Sequence, residues 1–273
     1  MKHSFFIAIA ALLLMASCKK ETLSDKGVSE KWDITSAQTG TTYTMTVFYP
    51  DKEFPKTPVP VVYVLDGFWW SDMAAGVLTD YSRSGKIPKC LMVSLDYKKG
   101  DGVYARSTDL IYPGPGITNG ATKTPEAPKF YDFLQQELLP QVEAKYAADT
   151  TLRILFGHSL GGAFVLYATL SHAQHPLFTK CIAASSSIGL GSDNYIFSLE
   201  DSVAKQVSDL PVSLYLGVGT YVGSATVMHE ELYRRLKNRH YPSLKIGFGT
   251  SNYEHGPDAY PAFQQGIQFI FNN

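Results

Sequence analysis

The chain has 273 residues, of which 45% are hydrophobic and 18% are charged, and its formal net charge is −1. This composition excludes an intrinsically disordered protein, and the charge balance excludes a basic surface that would attract nucleic acid. The length suits one large α/β domain, which can bury a core without disulfide bonds.

The first 17 residues have the layout of a secretory signal peptide, with a short positive start and an apolar run over residues 4–15. The run is too short for an ordinary membrane-spanning helix. Small residues directly before Cys18 resemble a bacterial lipobox, and that resemblance implies cleavage before Cys18 and attachment of lipid to its sulfur. A plain signal peptide with an incidental cysteine is the alternative.

A lipidated Cys18 would make a membrane the partner of the protein, because buried acyl chains give stable anchoring. Lys19 provides no acidic signal for retention at the inner membrane. We therefore expect an outer-membrane lipoprotein, on either the periplasmic or the surface face. Residues 18–30 are predicted to form a polar tether, and residues 31–273 the folded domain.

Strands and helices alternate along the rest of the chain. Residues 31–37 and 41–49 predict two strands joined by a hairpin turn at 38–40. Six later stretches are apolar at nearly every position, as expected for strands buried on both faces of a parallel sheet, at 59–65, 90–95, 152–156, 181–184, 212–218 and 244–248. Helical patterns occur between or after several of them, at 130–146, 160–170, 228–237 and 262–271. This order predicts an α/β fold with a mostly parallel, doubly wound sheet and an N-terminal antiparallel hairpin.

Residues 98–128 interrupt the alternation with a concentration of glycine and proline. A loop of this length in a compact domain is usually functional or mobile. It follows the carboxyl end of a predicted strand, which is where doubly wound folds bind their ligands.

The strongest catalytic motif is Gly157-His158-Ser159-Leu160-Gly161-Gly162, between a predicted buried strand and a predicted helix. Gly-x-Ser-x-Gly is a weak motif by itself, but a strand, a turn and a helix in this order are typical of a nucleophile elbow. Ser159 would stand at a helix N-terminus, with the Leu160 amide facing the oxyanion that forms on attack. A serine helix cap is the alternative.

His255 is the predicted general base. In hydrolases with such an elbow the base follows the nucleophile and the acid along the chain, and His255 lies between the last predicted strand and the last predicted helix. His229 and His240 flank a polar helix and are predicted to be solvated. A solvent-exposed loop histidine is the alternative for His255.

The catalytic acid is not evident from the sequence. It usually follows a strand after the elbow, but residues 219–224 contain no carboxylate. Asp193, in an earlier loop, is the candidate that we retain over Glu230, Glu231 and Glu254. The alternatives are a Ser–His dyad and a triad whose acid, which orients the imidazole and stabilises its charged form, comes from an unusual place.

A second oxyanion donor is expected in the loop after Leu65-Asp66-Gly67. The amide of Phe68 or of Gly67 is the candidate, since two amides usually share the oxyanion in such enzymes. Gly67 can equally be a turn residue.

Several motifs occur in an order that resembles one bacterial esterase family. They are Val61 to Gly67, Arg106-x-x-Asp109-Leu110, Phe133 to Pro140, the elbow and Glu254-His255-Gly256. The family contains siderophore esterases of the enterobactin type and esterase D-like enzymes, and the resemblance spans residues 31–271. It implies an α/β-hydrolase fold with Ser159 as nucleophile and His255 as base, and some family members work with a dyad. The chain departs from the family pattern after residues 185–187 and in the loop 110–125, which leaves substrate recognition open.

Two further residues are candidates for substrate binding. Arg106 is either the partner of Asp109 in a structural ion pair or a cation at the rim of the pocket that holds an anionic or catecholate group. Trp69 either stacks on a substrate ring or packs in the core.

Cys90 and Cys181 are predicted to be free, buried thiols. In the implied sheet their strands lie three spacings apart, roughly 14 Å at about 4.8 Å each. A disulfide needs Cα atoms within about 7 Å of each other.

These residues together predict a serine esterase that cleaves a small-molecule carboxylic ester through an acyl-enzyme and needs no metal or organic cofactor. Siderophore-type esters and feruloyl or acetyl esters of carbohydrates all stay open as substrates. A non-catalytic lipoprotein that binds a siderophore or a glycan is the rival hypothesis, motivated by the missing acid. The intact elbow and His255 argue against it, because a binding protein needs neither.

Overall fold

The computed structural model describes residues 26–98, 102–113, 125–190 and 195–273. The predicted signal peptide, the anchor residue Cys18 and the acid candidate Asp193 lie outside these ranges. Within the described chain, no helix combines the length and the apolar character needed to cross a membrane.

One mixed sheet forms the frame of the described chain. Its eight strands are β1 (Val28–Thr35), β2 (Thr42–Tyr49), β3 (Val59–Val64), β4 (Leu91–Tyr97), β5 (Ala148–His158), β6 (Lys180–Ala184), β7 (Ser213–Gly219) and β8 (Lys245–Ser251). They lie in the order β1-β2-β4-β3-β5-β6-β7-β8. The pairs β1/β2 and β2/β4 are antiparallel, and the other neighbours are parallel. The predicted α/β class and N-terminal hairpin are therefore confirmed.

The first strand begins earlier than predicted. β1 pairs with β2 from Val28 opposite Tyr49 to Thr35 opposite Thr42, so the folded domain starts inside the predicted tether. An edge strand exposes alternate side chains to solvent, and its polar residues therefore resemble those of a linker.

Eight α-helices lie between or after the strands of the described chain. They are α1 (Gly67–Arg83), α2 (Gly102–Asp109), α3 (Ala127–Phe133), α4 (Leu139–Lys145), α5 (Leu160–Ser171), α6 (Tyr195–Gln206), α7 (Ser224–Asn238) and α8 (Ala259–Asn272). The single helix predicted over 130–146 is divided into α3 and α4 by a π-helical turn at Leu134–Leu138. Pro140 has no N–H to bond the carbonyl four residues earlier, and the wider turn before it accommodates this gap.

The sheet is buried on both faces. In β3, Val61 and Tyr63 belong to the core on one face, whereas Val62 and Val64 belong to the core on the other. Helices α1 and α8 cover the second face, and α3, α4, α5, α6 and α7 contribute to the first. Burial on both faces explains why the central strands are apolar at successive positions.

The two cysteines of the described chain are free and buried, as predicted. Cys90 precedes β4 and Cys181 lies in β6, with β3 and β5 between these strands. Burial raises the pKa of both thiols, and that of Cys181 reaches about 12. Both are therefore unreactive core residues in the folded protein.

Candidate active site

Ser159 lies in a strained turn between β5 and α5. Its backbone has φ 59° and ψ −118°, which is uncommon for a residue other than glycine. A Cβ on Gly157 would lie 2.3 Å from the Gly161 carbonyl, and one on Gly162 would lie 2.5 Å from the Ser186 hydroxyl. Glycine is therefore required at both positions, and the motif forms the sharp strand-to-helix turn that presents a nucleophilic serine.

Ser159 and His255 meet although 96 residues separate them. His255 Nε2 lies 3.1 Å from Ser159 Oγ, within hydrogen-bond reach. The His255 residue is exposed to solvent in part. Its partial burial lowers the pKa of His255, and His158 and Arg106 lower it further, while Asp258 opposes them. A neutral imidazole at neutral pH can accept the proton of the serine hydroxyl.

The carboxylate beside this pair is Asp258, directly before α8, which the sequence interpretation missed. Its side chain is completely buried, and it accepts hydrogen bonds from His158 Nε2 at 2.9 Å and from the Ser185 hydroxyl. Burial acts to raise the pKa of Asp258, but the hydrogen bonds outweigh it and lower the pKa to about 2. Asp258 bonds to the elbow histidine rather than to His255, so the side chains form a Ser–His dyad beside a buried His–Asp pair.

Of the earlier carboxylate candidates within the described residues, neither Glu231 nor Glu254 takes part in this cluster, and Asp193 lies outside those residues. Glu231 bonds to Arg234 and Arg235 on its own helix. Glu254 is exposed beside His255, and adjacent side chains usually diverge. Asp258 holds the N-cap position of α8, where aspartate is favoured, but its side chain makes no capping bond, so this preference does not indicate its place in the site.

Two sets of backbone amides are the candidate oxyanion donors. Leu160 supplies the first N–H of α5, which has no carbonyl partner within its own helix. Gly67 and Phe68 open α1 after Asp66, whose carbonyl accepts the N–H groups of Trp69 and Trp70. Both sets of amides lie at carboxyl ends of neighbouring strands, β5 and β3, as an oxyanion hole requires.

Phe68 differs from Leu160 in the surroundings of its amide. Burial raises the pKa of Asp96, and hydrogen bonding from the backbone N–H groups of Tyr97 and Phe68 offsets this only in part. The Phe68 N–H thus already faces a carboxylate. Of the three predicted donors, the N–H groups of Gly67 and Leu160 are therefore better placed to bond to an oxyanion than that of Phe68.

Arg106 bonds to Asp66 rather than to the expected Asp109. Its guanidinium makes two bonds to the Asp66 carboxylate, at 2.6 and 2.8 Å, whereas Asp109 accepts a hydrogen bond from Tyr43 at 2.7 Å. Asp66 lies two residues after the end of β3, where its carboxylate meets the guanidinium of Arg106 on α2. The Asp66 carboxylate also lies against the elbow, 3.0 Å from where a Cβ on Gly161 would stand. Arg106 is therefore an ion-paired support of the site and not a free cation.

Trp69 is exposed rather than packed in the core. Its side chain is 54% accessible, and the Arg106 guanidinium lies 5.2 Å from its ring centroid. Phe68 beside it is still more exposed, and the two rings meet edge to face at 5.5 Å. Two exposed aromatic rings thus stand next to the candidate oxyanion amides.

The prediction that His229 is solvated is wrong. Its side chain is completely buried, Nε2 accepts the Ser186 N–H at 2.8 Å, and Nδ1 donates to the Ala225 carbonyl at 2.7 Å. Burial lowers the pKa of His229 to about 4, so it is neutral under ordinary conditions. It supports the chain after β6, against which the elbow glycine Gly162 packs.

One group of side chains in the described part of the chain has donor atoms close enough to hold a metal ion. Its members are His158, His255 and Asp258, with donor atoms within 4.8 Å of one another. His158 already bonds to Asp258, and His255 to Ser159. These contacts suit proton transfer from a serine.

Comparison with known proteins identifies the family. A family model described as "Putative esterase" matches residues 36–220. The chain belongs to this esterase family. The match includes the elbow and the Asp66 loop but ends before His255. The contact between His255 and the elbow serine is therefore seen only in the structure.

The curated relatives of this chain include a ferri-bacillibactin esterase and an apo-salmochelin esterase. It is 26% identical over 200 residues to the ferri-bacillibactin esterase BesA of Bacillus subtilis, a match that covers 65% of each chain. It is 28% identical over 156 residues to an apo-salmochelin esterase of Escherichia coli, covering 53% of this chain and 46% of the relative. The matches thus span about half to two thirds of these relatives.

Solved structures of similar proteins share the fold. The BES protein from Bacillus cereus has a TM-score of 0.80 at 24% identity, with 92% of this chain and 97% of that chain covered. The enterobactin and salmochelin hydrolase IroE has a TM-score of 0.67 at 22% identity, with 90% and 95% covered. The α/β-hydrolase type of fold is therefore confirmed.

Proposed function

We propose that this protein is a serine esterase in which Ser159 attacks a carboxylic ester and His255 is the general base. The observation that carries the proposal is the 3.1 Å contact between Ser159 Oγ and His255 Nε2 at a strained elbow. A helix cap requires neither the backbone strain nor a histidine from 96 residues away.

The reaction follows from the positions of these groups. Ser159 Oγ bonds to the ester carbonyl carbon while its proton passes to His255 Nε2. The carbonyl oxygen becomes an oxyanion beside the amides of Leu160 and of Gly67 or Phe68. The carbon–oxygen bond to the alcohol then breaks, and His255 gives its proton to the departing alcohol. Water attacks the acyl-enzyme with His255 again as base, which releases the acid and restores Ser159.

The proposed substrates are siderophore-type esters with aromatic groups. The named activities of BesA and of the salmochelin esterase support this class. The exposed Trp69 and Phe68 offer faces on which a flat ring can stack. Arg106 is engaged by Asp66, so it contributes more to holding Trp69 than to binding a free anion. Feruloyl or acetyl esters of carbohydrates are the alternative class.

We also propose that the mature protein is a lipoprotein of the outer membrane. The apolar run at residues 4–15 and the small residues before Cys18 support this proposal. Mass spectrometry of the N-terminal peptide from membranes tests it. A diacylglycerol-modified Cys18 is expected, and an unmodified N-terminus at another residue would refute it.

The catalytic proposal is tested by ester hydrolysis. The purified protein is assayed with a chromogenic short-chain ester, a catecholate trilactone, a feruloyl sugar and an acetylated glycan. We expect the trilactone to give the highest kcat/KM and Ser159→Ala to lose at least about a thousandfold in rate. Equal rates for Ser159→Ala and the unmodified protein would refute the serine mechanism. Binding of the trilactone without turnover would favour the non-catalytic alternative.

A further inference from the structure

Asp258 is a buried carboxylate beside the catalytic pair that none of the steps above uses. Its side chain has no exposed surface. A buried charge is costly unless it is fully hydrogen-bonded, so its presence next to a reactive histidine calls for a physical reason.

The hydrogen bonds of Asp258 join the ends of three strands. It accepts from His158 at the end of β5 at 2.9 Å, from the Ser185 hydroxyl after β6, and from the Gly219 N–H at the end of β7 at 3.1 Å. Its fourth bond comes from the Gly256 N–H at 2.9 Å. One carboxylate therefore fastens the turn before α8 to three neighbouring strands.

The turn itself is closed around the catalytic base. The Asp258 N–H donates to the Glu254 carbonyl at 3.2 Å, and the Ala259 N–H donates to the Gly256 carbonyl at 3.0 Å. Gly256 has φ 109°, a conformation that side chains rarely allow. His255 thus lies between two residues whose backbones are both bonded to Asp258.

The charge of Asp258 also acts on the base. A nitrogen of His255 and a carboxylate oxygen of Asp258 lie within 4.8 Å, and the rings of His158 and His255 are 4.6 Å apart. An opposite charge at this distance favours the protonated imidazole. Of the ionisable groups that act on His255, His158 and Arg106 oppose its protonation and Asp258 favours it. His229 also faces Asp258, from α7, but it is neutral.

We propose that Asp258 is the positioning residue of this site. It fixes the turn of His255 against β5, β6 and β7, and its negative charge stabilises the imidazolium that forms when Ser159 attacks. It does so without bonding to the base, because a carboxylate oxygen of Asp258 lies within 4.8 Å of a nitrogen of His255. The effect of Asp258 on catalysis rests on the proposed function. Its effect on the pKa of His255 can be measured without any substrate.

The test is Asp258→Asn, which keeps the shape of the side chain and removes its charge. The pKa of the His255 imidazole is measured by NMR titration, and kcat and KM are measured across pH. We expect the pKa of His255 and the acid limb of the kcat/KM profile to fall by about one unit or more. We also expect kcat to fall by at least about tenfold with little change in KM.

Two control variants separate charge from scaffolding. Ser185→Ala removes one bond to Asp258 but leaves its charge, so kcat should fall while the pKa of His255 stays in place. Asp209→Asn removes a carboxylate that accepts hydrogen bonds from the N–H groups of Leu210 and Ser243 at 2.8 Å each. It lies before β7, at the end of that strand away from the active site. This variant should change neither quantity.

The outcomes are distinct. An unchanged pKa of His255 in folded Asp258→Asn would overturn the electrostatic role. If that variant does not fold, Ser185→Ala decides, and an unchanged kcat there would overturn the positioning role. If the unmodified protein hydrolyses no ester but Asp258→Asn still lowers the pKa of His255, the proposed function fails and the coupling between Asp258 and His255 stands.

Discussion

The ion pair between Asp66 and Arg106 leads to a prediction that links stability to catalysis. Asp66→Asn keeps the volume of the side chain and leaves the guanidinium without a counter-charge. Breaking a buried pair costs about 3–5 kcal/mol. Asp66 is fully buried but the Arg106 side chain keeps 19% of its surface, so water can solvate the guanidinium in part. We therefore expect the lower end, a loss of about 3 kcal/mol in the free energy of unfolding.

The same substitution should reduce activity. Asp66 precedes the Gly67 and Phe68 amides and lies against the elbow. Removing one oxyanion donor costs a factor of about 10²–10³ in kcat. Misplacing a donor should cost less, so we expect kcat/KM to fall by at least about tenfold.

Glu200→Gln is the matched control. Glu200 is also fully buried and accepts two bonds from Arg239, at 2.7 and 2.9 Å, but it lies on α6. Urea unfolding followed by circular dichroism gives the free energy, and ester hydrolysis gives kcat/KM. Glu200→Gln should lose stability and keep kcat/KM. A loss below about 1 kcal/mol for Asp66→Asn, or the same kcat/KM for both variants, would contradict this role of the ion pair.

Three further predictions concern the elbow, the base and the thiols. Gly162→Ala should lower the melting temperature and reduce kcat/KM by at least about tenfold, because its Cβ would lie 2.5 Å from Ser186 Oγ. Gly76→Ala in α1 is the control, because the added Cβ would meet only the flexible end of a lysine side chain. Unchanged activity in Gly162→Ala would contradict the requirement for glycine at the elbow. The pH profile of kcat/KM should rise as His255 loses its proton and reach half its plateau below pH 6.5, because the pKa of His255 is lowered from 6.5; a midpoint above pH 7 would contradict this. The two core thiols should resist iodoacetamide at pH 8 in the folded protein and react after unfolding in urea, whereas rapid labelling of the native protein would contradict their burial.

The parts of the fold that the sequence predicts are those with strong local patterns. Strands such as β7 are apolar at nearly every position, and the elbow combines glycines whose spacing has a steric reason. His255 is predictable because chain order restricts where a base can lie. The spacing of the two cysteine-bearing strands follows from the strand order, which the structure confirms.

The parts that the sequence does not predict depend on contacts between distant residues. His158 and Asp258 are 100 residues apart, and no periodicity in either segment indicates that they meet. The pairing of Arg106 with Asp66 also depends on distant residues. Asp109 is nearer to Arg106 along the chain, but the guanidinium bonds to Asp66.

His229 is an instructive exception. It shares the buried face of α7 with Leu232 and Leu236, at helical spacing. That spacing was visible in the sequence, and it indicates burial even for a polar residue. Because the rest of the helix is polar, the sequence interpretation treated His229 as part of a solvated surface.

The most direct measurement is the site of the acyl group during turnover. The protein is mixed with an aryl ester, quenched in acid within the first turnovers, digested and mapped by mass spectrometry. We predict an acyl group on the peptide that contains Ser159, where it replaces one hydrogen, and no such adduct in Ser159→Ala. An adduct on another residue, or sustained hydrolysis by Ser159→Ala, would contradict it.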